Sequence, residues 1–406
     1  MVADAGALAE FNESIVGMRQ EMIKVLSDMI PIKAIAPASG GSGEARRADF
    51  LEELLKSWGL GVKRYEYKDN TGTARPNLVS TIGEGSRTLW VVVHMDTVSE
   101  GDPALWSHDP FKASIVDGLI YGRGTNDNGS ALISAIFVLK ALAARRADLG
   151  HRYGVAIVAD EEMGSEYGIQ SLIRDGVFSS NDMFVVPDFN TTEGDKIEIA
   201  EKSILWLRVS VTGKQVHAST PDDGVNAFRY ASKLVTKIDE VLHLKYADRD
   251  ARFMPSVSTF EMTKHEKNVD STNIVPGKDV FYIDCRILPN HSTDDVLDSI
   301  KAVAAMEEFK PVGISIEPVQ KEDAPRPTGT DTEVFAELAA AIKAQLGIDA
   351  KSVGVGGGTC AAYFRKKGWP AVVWGIGDDV AHQPDEYIRA DDLVRGAKVL
   401  GAMAIG

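Results

Sequence analysis

Leu89-Trp-Val-Val-Val93 runs straight into His94-Met-Asp96, an unbroken apolar stretch that ends on an imidazole and a carboxylate. Buried parallel strands read as continuous Val/Ile-rich runs, and ligands of open α/β sheets collect at the carboxyl ends of such strands. Three distant stretches repeat the pattern. Gly154-Val-Ala-Ile-Val158 leads to Asp160-Glu161-Glu162, Met183-Phe-Val-Val186 leads to Pro187-Asp188, and Ala371-Val-Val-Trp374 leads through a glycine-rich turn to His382. Four strand ends carrying acids and imidazoles point to a metal site that folding assembles.

Outward from these strands the spacing predicts helices over about 8–29, ended near Pro31, and over about 45–58, stopped at Gly59. Strands at 89–93, 154–159 and 184–186 alternate with an apolar helix at 130–144 and a short helix at 168–175. Such alternation indicates a parallel or mixed sheet with helices on its faces. Near residue 200 the texture changes, and 205–211 alternates apolar with polar positions. A helix at 226–244, strands at 256–262 and 279–286, a helix at 293–306 and a strand at 313–318 give a β-α-β-β-α-β order, the split βαβ layout. After Pro325-Arg-Pro327 the first texture returns, with a helix at 331–346 and a strand at 371–374. The expected fold is α/β: a discontinuous domain, 1–202 and 321–406, with a mixed sheet flanked by helices. An inserted α+β ferredoxin-like domain occupies 203–320.

Composition bounds the function. The chain has 406 residues, enough for two cores, and 44% hydrophobic with 25% charged residues is ordinary for a globular protein. Asp+Glu 59 against Lys+Arg 44 leaves a net charge of -15. That charge argues against nucleic acid as the main partner and against a polybasic membrane surface. Only Cys285 and Cys360 occur, without a Cys-x-x-Cys pair, so neither a disulfide framework nor a thiolate zinc site fits, and a reducing compartment does. The N-terminus shows no signal-peptide pattern, and the apolar stretch 131–144, which contains Lys140, is too short to span a bilayer. A cytoplasmic protein is expected.

His94 and Asp96, two apart at a strand end, leave the same face. There Asp96 is better placed to orient a ligating His94 than to ligate itself. Taken alone the pair also reads as a satisfied strand end. The loop Gly122-Arg-Gly124-Thr-Asn-Asp127-Asn-Gly129-Ser130 alone reads first as the cap of the next helix, through Asp127 or Asn128. Glu161-Glu162 is more telling, because two adjacent buried carboxylates resist ionisation unless a cation is near. Of the eight histidines, His94 and His382 are the ones placed after predicted core strands. Two imidazoles and three carboxylates, with Glu161 and Asp96 left over, suit Zn²⁺, Co²⁺ or Mn²⁺. Five ligands are too many for one catalytic zinc and right for two that share a carboxylate.

Together Val93-His94-Met-Asp96-Thr-Val98, Tyr121-Gly-Arg-Gly124 with Asp127, Asp160-Glu161-Glu162 with Gly164-Ser, and His382 resemble the M20 metallopeptidases. The resemblance runs through nearly the whole chain. It implies a zinc-hydrolase catalytic domain with two Zn²⁺ per subunit: His94 and Asp188 on one, Glu162 and His382 on the other, Asp127 bridging. It implies Glu161 as the general base for a metal-bridging hydroxide attacking an amide carbonyl, with Asp96 steadying His94. The inserted domain resembles the family's lid, which commonly makes a homodimer interface. In it, Val211-Thr-Gly-Lys-Gln-Val-His217 matches the segment whose histidine stabilises the oxyanion in the partner subunit. Thr272-Asn273 and Asp284-Cys-Arg286 match segments that bind substrate oxygens and carboxylate, and Gly356-Gly-Gly358-Thr359 matches a loop lining the substrate pocket.

Asp188 stands where the family's deacylases usually carry Glu and its dipeptidases and aminopeptidases usually carry Asp. Glu201-Lys-Ser stands about where the desuccinylases have an arginine for a second carboxylate. The substrate reading therefore leans to short peptides, with N-acyl amino acids as the alternative. A non-catalytic binding protein on the same fold is a remote third reading. Gly354-Val-Gly356-Gly-Gly358 lacks the spacing of a dinucleotide or phosphate loop, and no G-x-S-x-G elbow occurs.

Overall fold

A computed structural model describes residues 5–145, 149 and 151–405. The chain opens with α1 (Ala5–Gly17), α2 (Arg19–Met29), α3 (Ala45–Ser57), β1 (Lys63–Lys68), β2 (Ala74–Ile82) and β3 (Thr88–His94). It continues through β4 (Ser114–Val116), β5 (Leu119–Tyr121), α4 (Ser130–Arg145), β6 (Arg152–Val158), α5 (Ile169–Arg174), β7 (Met183–Thr191) and β8 (Lys196–Glu201). Next come β9 (Ser203–Thr212), β10 (Val216–His217), α6 (Ala227–Lys245), β11 (Thr259–His265), β12 (Ile274–Val275), β13 (Lys278–Ile287), α7 (Thr293–Ala304) and β14 (Gly313–Glu322). It closes with α8 (Glu333–Leu346), β15 (Lys351–Val355), α9 (Ala361–Lys366), β16 (Ala371–Ile376), β17 (Tyr387–Arg389) and α10 (Ala390–Ile405). The single helix expected over 8–29 is two, parted at Gly17-Met18, where glycine gives helical backbone least support.

Two compact units form, one from 1–199, 328–352 and 359–406, the other from 200–327 and 353–358. An eight-stranded mixed sheet runs in the order β1-β2-β6-β3-β7-β16-β8-β15. Its centre, β6-β3-β7-β16, is parallel, and β1, β2 and β8 pair antiparallel. Every residue of β3 is buried, as a central parallel strand requires. α4 packs on β3, β6 and α10. By length and composition residues 125–145 could cross a membrane, but 78% of the most apolar window is buried inside the protein, so this is a core helix. On the other face Trp90, Val92, Ala156, Val158, Phe184 and Val186 form one core with α5 and α9.

Register decides where the chemistry falls. β3 pairs with β7 as Leu89↔Met183, Trp90↔Phe184 and Val91↔Val185, so the two strands run side by side toward His94 and Asp188. Side chains alternate along a strand, so His94 shares a face of β3 with Trp90. β7 does not stop before Asp188 but runs on to Thr191, with a bulge there: Val373 pairs with Val186 and Gly375 with Asn190. Bulges re-aim side chains next to sites.

The second unit has an antiparallel sheet in the order β11-β13-β9-β14, a chain order of β-α-β-β-α-β. α6 buries Ala227, Ala231, Leu234, Ile238 and Leu242, an apolar stripe at helical spacing, against Leu205, Leu207, Phe281 and Ile283. Cutting Ile238 to alanine there costs about 2–5 kcal/mol. Ser292 starts α7 with a capping box to Asp295.

Candidate metal centre

His94, Asp96, Asp127, Glu161, Glu162, Asp188 and His382 all belong to the first unit, and the fold gathers them at the carboxyl ends of β3, β6, β7 and β16. Asp127 stands between the imidazoles. Its Oδ1 lies 2.8 Å from His94 Nε2 and its Oδ2 lies 3.0 Å from His382 Nε2. Asp188 Oδ1 is 3.5 Å from His94 Nε2, and Glu162 Oε2 is 3.2 Å from His382 Nε2. Two donor groups result, His94/Asp127/Asp188 and Asp127/Glu162/His382, each with its ligand atoms within 4.8 Å of one another. Asp127 alone belongs to both.

Asp96 is fully buried and does more than expected of it. Its carboxylate lies 3.6 Å from His94 Nδ1, while its backbone carbonyl comes to 3.1 Å and takes the closer contact. The carboxylate oxygens instead accept the backbone N–H groups of Glu161 and Glu162, at 3.1 Å each. Asp160, at φ +68°, turns the chain into these two acids, and Arg75 pairs with Asp160 at 2.9 Å and with Glu44. A non-glycine residue at positive φ is strained, so this turn is held by its contacts.

The electrostatics call for cations. Burial pushes the Glu161 carboxyl well above the ordinary range, and the charges of Asp188, Glu162 and Asp96 add to it against His94. Burial also raises Glu162 and Asp188, against their bonds to His382 and His94. Burial would raise Asp127 too, but its bonds to both imidazoles outweigh that and hold it low. His382 is pushed up to about 10 by its bonds to Asp127 and Glu162. Five crowded carboxylates against two imidazoles leave an excess of negative charge. Mixed nitrogen and oxygen donors with a shared acid fit a pair of divalent ions, which replace the imidazole protons on binding.

Sequence reading missed the residues that hold the ligands' backbone. Asn128 Nδ2 donates to Pro187 O at 2.6 Å and Asp188 Oδ1 at 3.2 Å. Glu386 accepts from Arg123 and from the 124–127 loop. Arg123 and Asn128 lay within the quoted 122–130 loop and Glu386 lies four residues after His382, but nothing local separates such residues from solvated ones.

Asn273, Arg286, His217 and Gly358 belong to the second unit, and Thr359 to the first. β10–β12 pairing sets His217 opposite Ile274, beside Asn273, whose carbonyl accepts from Ala218 N–H at 2.8 Å. Ser219 N–H donates to His217 Nδ1 at 3.1 Å, which leaves Nε2 as the ring's donor. Asp284 grips Arg286 at Nε and Nη2, 2.7 and 3.1 Å, and Nη1 donates to Gly356 O. Within 4 Å, a Cβ built on Gly358 would meet only Glu201 Oε2, and ones on Gly356 or Gly357 would meet nothing, so this backbone can be approached closely. Thr359 Oγ1 accepts from Ala361 N–H in the first turn of α9.

The model of peptidase family M20/M25/M40 matches residues 90–405. An uncharacterized metallohydrolase of Methanocaldococcus jannaschii is 38% identical over 401 residues, covering 94% of this chain and 98% of the relative. A succinyl-diaminopimelate desuccinylase of Methylobacterium radiotolerans is 26% identical over 389 residues, covering 93% and 95%. Human carnosine dipeptidase 1 has a similar fold, with a TM-score of 0.74 at 17% identity, covering 98% of each chain.

Proposed function

The chain belongs to peptidase family M20/M25/M40 and is a metallohydrolase of that family; on that premise we propose that it hydrolyses the amide bond of short peptides at a two-metal centre. His94 and Asp188 would hold one Zn²⁺, Glu162 and His382 the other, and Asp127 would bridge them; Co²⁺ or Mn²⁺ suits the same donors. The observation that carries this reading is Asp127 turning one oxygen to each imidazole.

When bound, such a metal pair would polarise the amide carbonyl and lower the pKa of a water toward neutrality. Glu161, outside both donor groups, takes the proton of the attacking water and passes it to the leaving amine. Asp96 holds Glu161 and Glu162 through their backbone N–H groups. His217 Nε2, Asn273, Arg286 and Gly358 of the second unit, which would act as lid and homodimer interface, and Thr359 of the first are assigned to oxyanion and substrate binding. The unpaired, buried Cys285 and Cys360 suit a cytoplasmic location.

Asp188, the shorter acid, favours peptides. Lys202 adds to this: its Nζ is spent on Pro255 O and Val257 O, at 3.0 and 2.6 Å, and its side chain is buried, so it is ill suited to a second substrate carboxylate. The desuccinylase relatives favour a second reading, N-acyl amino acid deacylation. Zn²⁺-loaded protein assayed on dipeptides, N-acetyl and N-succinyl amino acids separates the two. Turnover of dipeptides is expected, and turnover confined to N-acyl substrates would select the second reading.

A further inference from the structure

The carboxylate of Glu386 is fully buried, belongs to neither donor group, and accepts four bonds. Oε2 takes Arg123 Nη1 at 2.7 Å and Gly124 N–H at 3.0 Å, and Oε1 takes Asn126 N–H at 2.8 Å and Asp127 N–H at 3.0 Å. Its backbone carbonyl also accepts from Gly122 N–H at 2.9 Å. One side chain thus templates the loop that carries the shared acid. That loop leaves little slack: Gly124 sits at φ +81°, and a Cβ there would come within 2.5 Å of Thr97 Cγ2. Consecutive N–H groups converging on one anion form a nest, and removing the anion leaves buried donors unpaired.

We propose that Glu386 is a positioning residue for the metal pair: through the Asn126 and Asp127 N–H groups it fixes Asp127 so that each of its oxygens meets one imidazole. This rests on the two-metal reading above. Because Asp127 is common to both donor groups, losing Glu386 weakens both ions together, whereas losing Asp188 weakens chiefly one.

Glutamine keeps the size of the side chain, but either orientation of its amide sets an NH₂ donor against N–H donors. Apo protein titrated with Zn²⁺ alone, by calorimetry and chelator competition, is expected to bind two ions. In Glu386→Gln both should bind about 10- to 100-fold more weakly, the range for lost outer support of ligands. Glu386→Asp, too short to reach the whole nest, should weaken both as well. Asp182→Asn is the control for ordinary destabilisation, since Asp182 accepts from Thr88 N–H, Trp90 Nε1 and Ser179 N–H at the far end of β3. It should lower Tm and leave Zn²⁺ affinity unchanged.

Wild-type affinity in folded Glu386→Gln, or an equal loss in Asp182→Asn, overturns the proposal. Should the Gln variant not fold, hydrogen exchange on the wild-type apo protein decides. Slow exchange at Asn126 and Asp127 supports the role, and fast exchange beside a protected α4 sinks it. Wild-type protein that binds no pair of ions defeats the two-metal reading itself, before any substitution is made.

Discussion

Asp96 holds Glu162 from behind: its Oδ2 accepts the Glu162 backbone N–H at 3.1 Å, while its Oδ1 accepts that of Glu161 at the same distance. One buried carboxylate thereby fixes both a proposed ligand and the proposed base. Glu386 does the same for Asp127. The centre is built as donors facing inward and two further acids gripping the backbone that carries them.

Asp96→Ala should therefore lower turnover and metal affinity together, the affinity by about 10- to 100-fold. Asp96→Asn should lie between it and wild type, since one amide oxygen still accepts an N–H. Metal content after dialysis, paired with kcat, reads this. Unchanged metal content with lost turnover would assign Asp96 to the proton path instead.

Glu161→Gln should retain two ions per chain and lose about 10²- to 10⁴-fold in kcat, the range for general acid–base catalysis. Near-normal turnover in the metal-replete variant would remove Glu161 from the mechanism.

His217→Ala should lower kcat by about 10²-fold, the scale of one oxyanion donor, with metal content intact. If the imidazole serves the partner subunit, mixing His217→Ala with Glu161→Gln subunits should restore activity, because one mixed site has both groups. No restoration under conditions of proven subunit exchange would place the histidine in its own subunit's site or outside catalysis.

Metal removal should abolish activity and lower Tm, and Zn²⁺, Co²⁺ or Mn²⁺ should restore both. An ion present at 100 times its Kd stabilises the folded chain by about 2.7 kcal/mol. Full activity after exhaustive chelation, with metal absent by elemental analysis, would end the metallohydrolase mechanism proposed here.

Burial, with Asp284 adding to it, pushes the Cys285 thiol up to about 12, from an ordinary value of 9.0. The neutral thiol is favoured in the fold, so its stabilising contribution is whole below pH 9 and is lost as pH rises toward 12. Cys285→Val should flatten that part of the stability curve, as denaturant melts of both proteins at pH 8 and pH 10.5 would report. Identical pH dependence in the two would clear Cys285 of any role.

Strands at the centre of the sheet were legible because nothing polar interrupts them, as in Leu89-Trp-Val-Val-Val93. β2 and β8 went unread for the opposite reason. β2 is mostly buried yet carries Arg75 and Asn77, and β8 buries Glu198. Each is satisfied by a group remote in sequence: Arg75 by Glu44, Asn77 by the Tyr167 carbonyl, Glu198 by Arg365 at 2.8 Å. Buried polar groups are hydrogen-bonded, but a sequence does not name their partners.

Residue order alone determined which side chains end the core strands, since alternation and apolar runs are local properties of the chain. It set His94, the Glu161-Glu162 pair, Asp188 and His382 after core strands as candidate donors, and Asp127 as an acid on a glycine-rich loop. Only the tertiary structure decided that Asp188 Oδ1 comes within 3.5 Å of His94 Nε2, that Asp127 divides its oxygens between two imidazoles, and that Asp96 and Glu386 grip backbone. Those outcomes depend on sheet register and on hydrogen bonds between segments up to 262 residues apart, and such contacts exist only once the strands have paired.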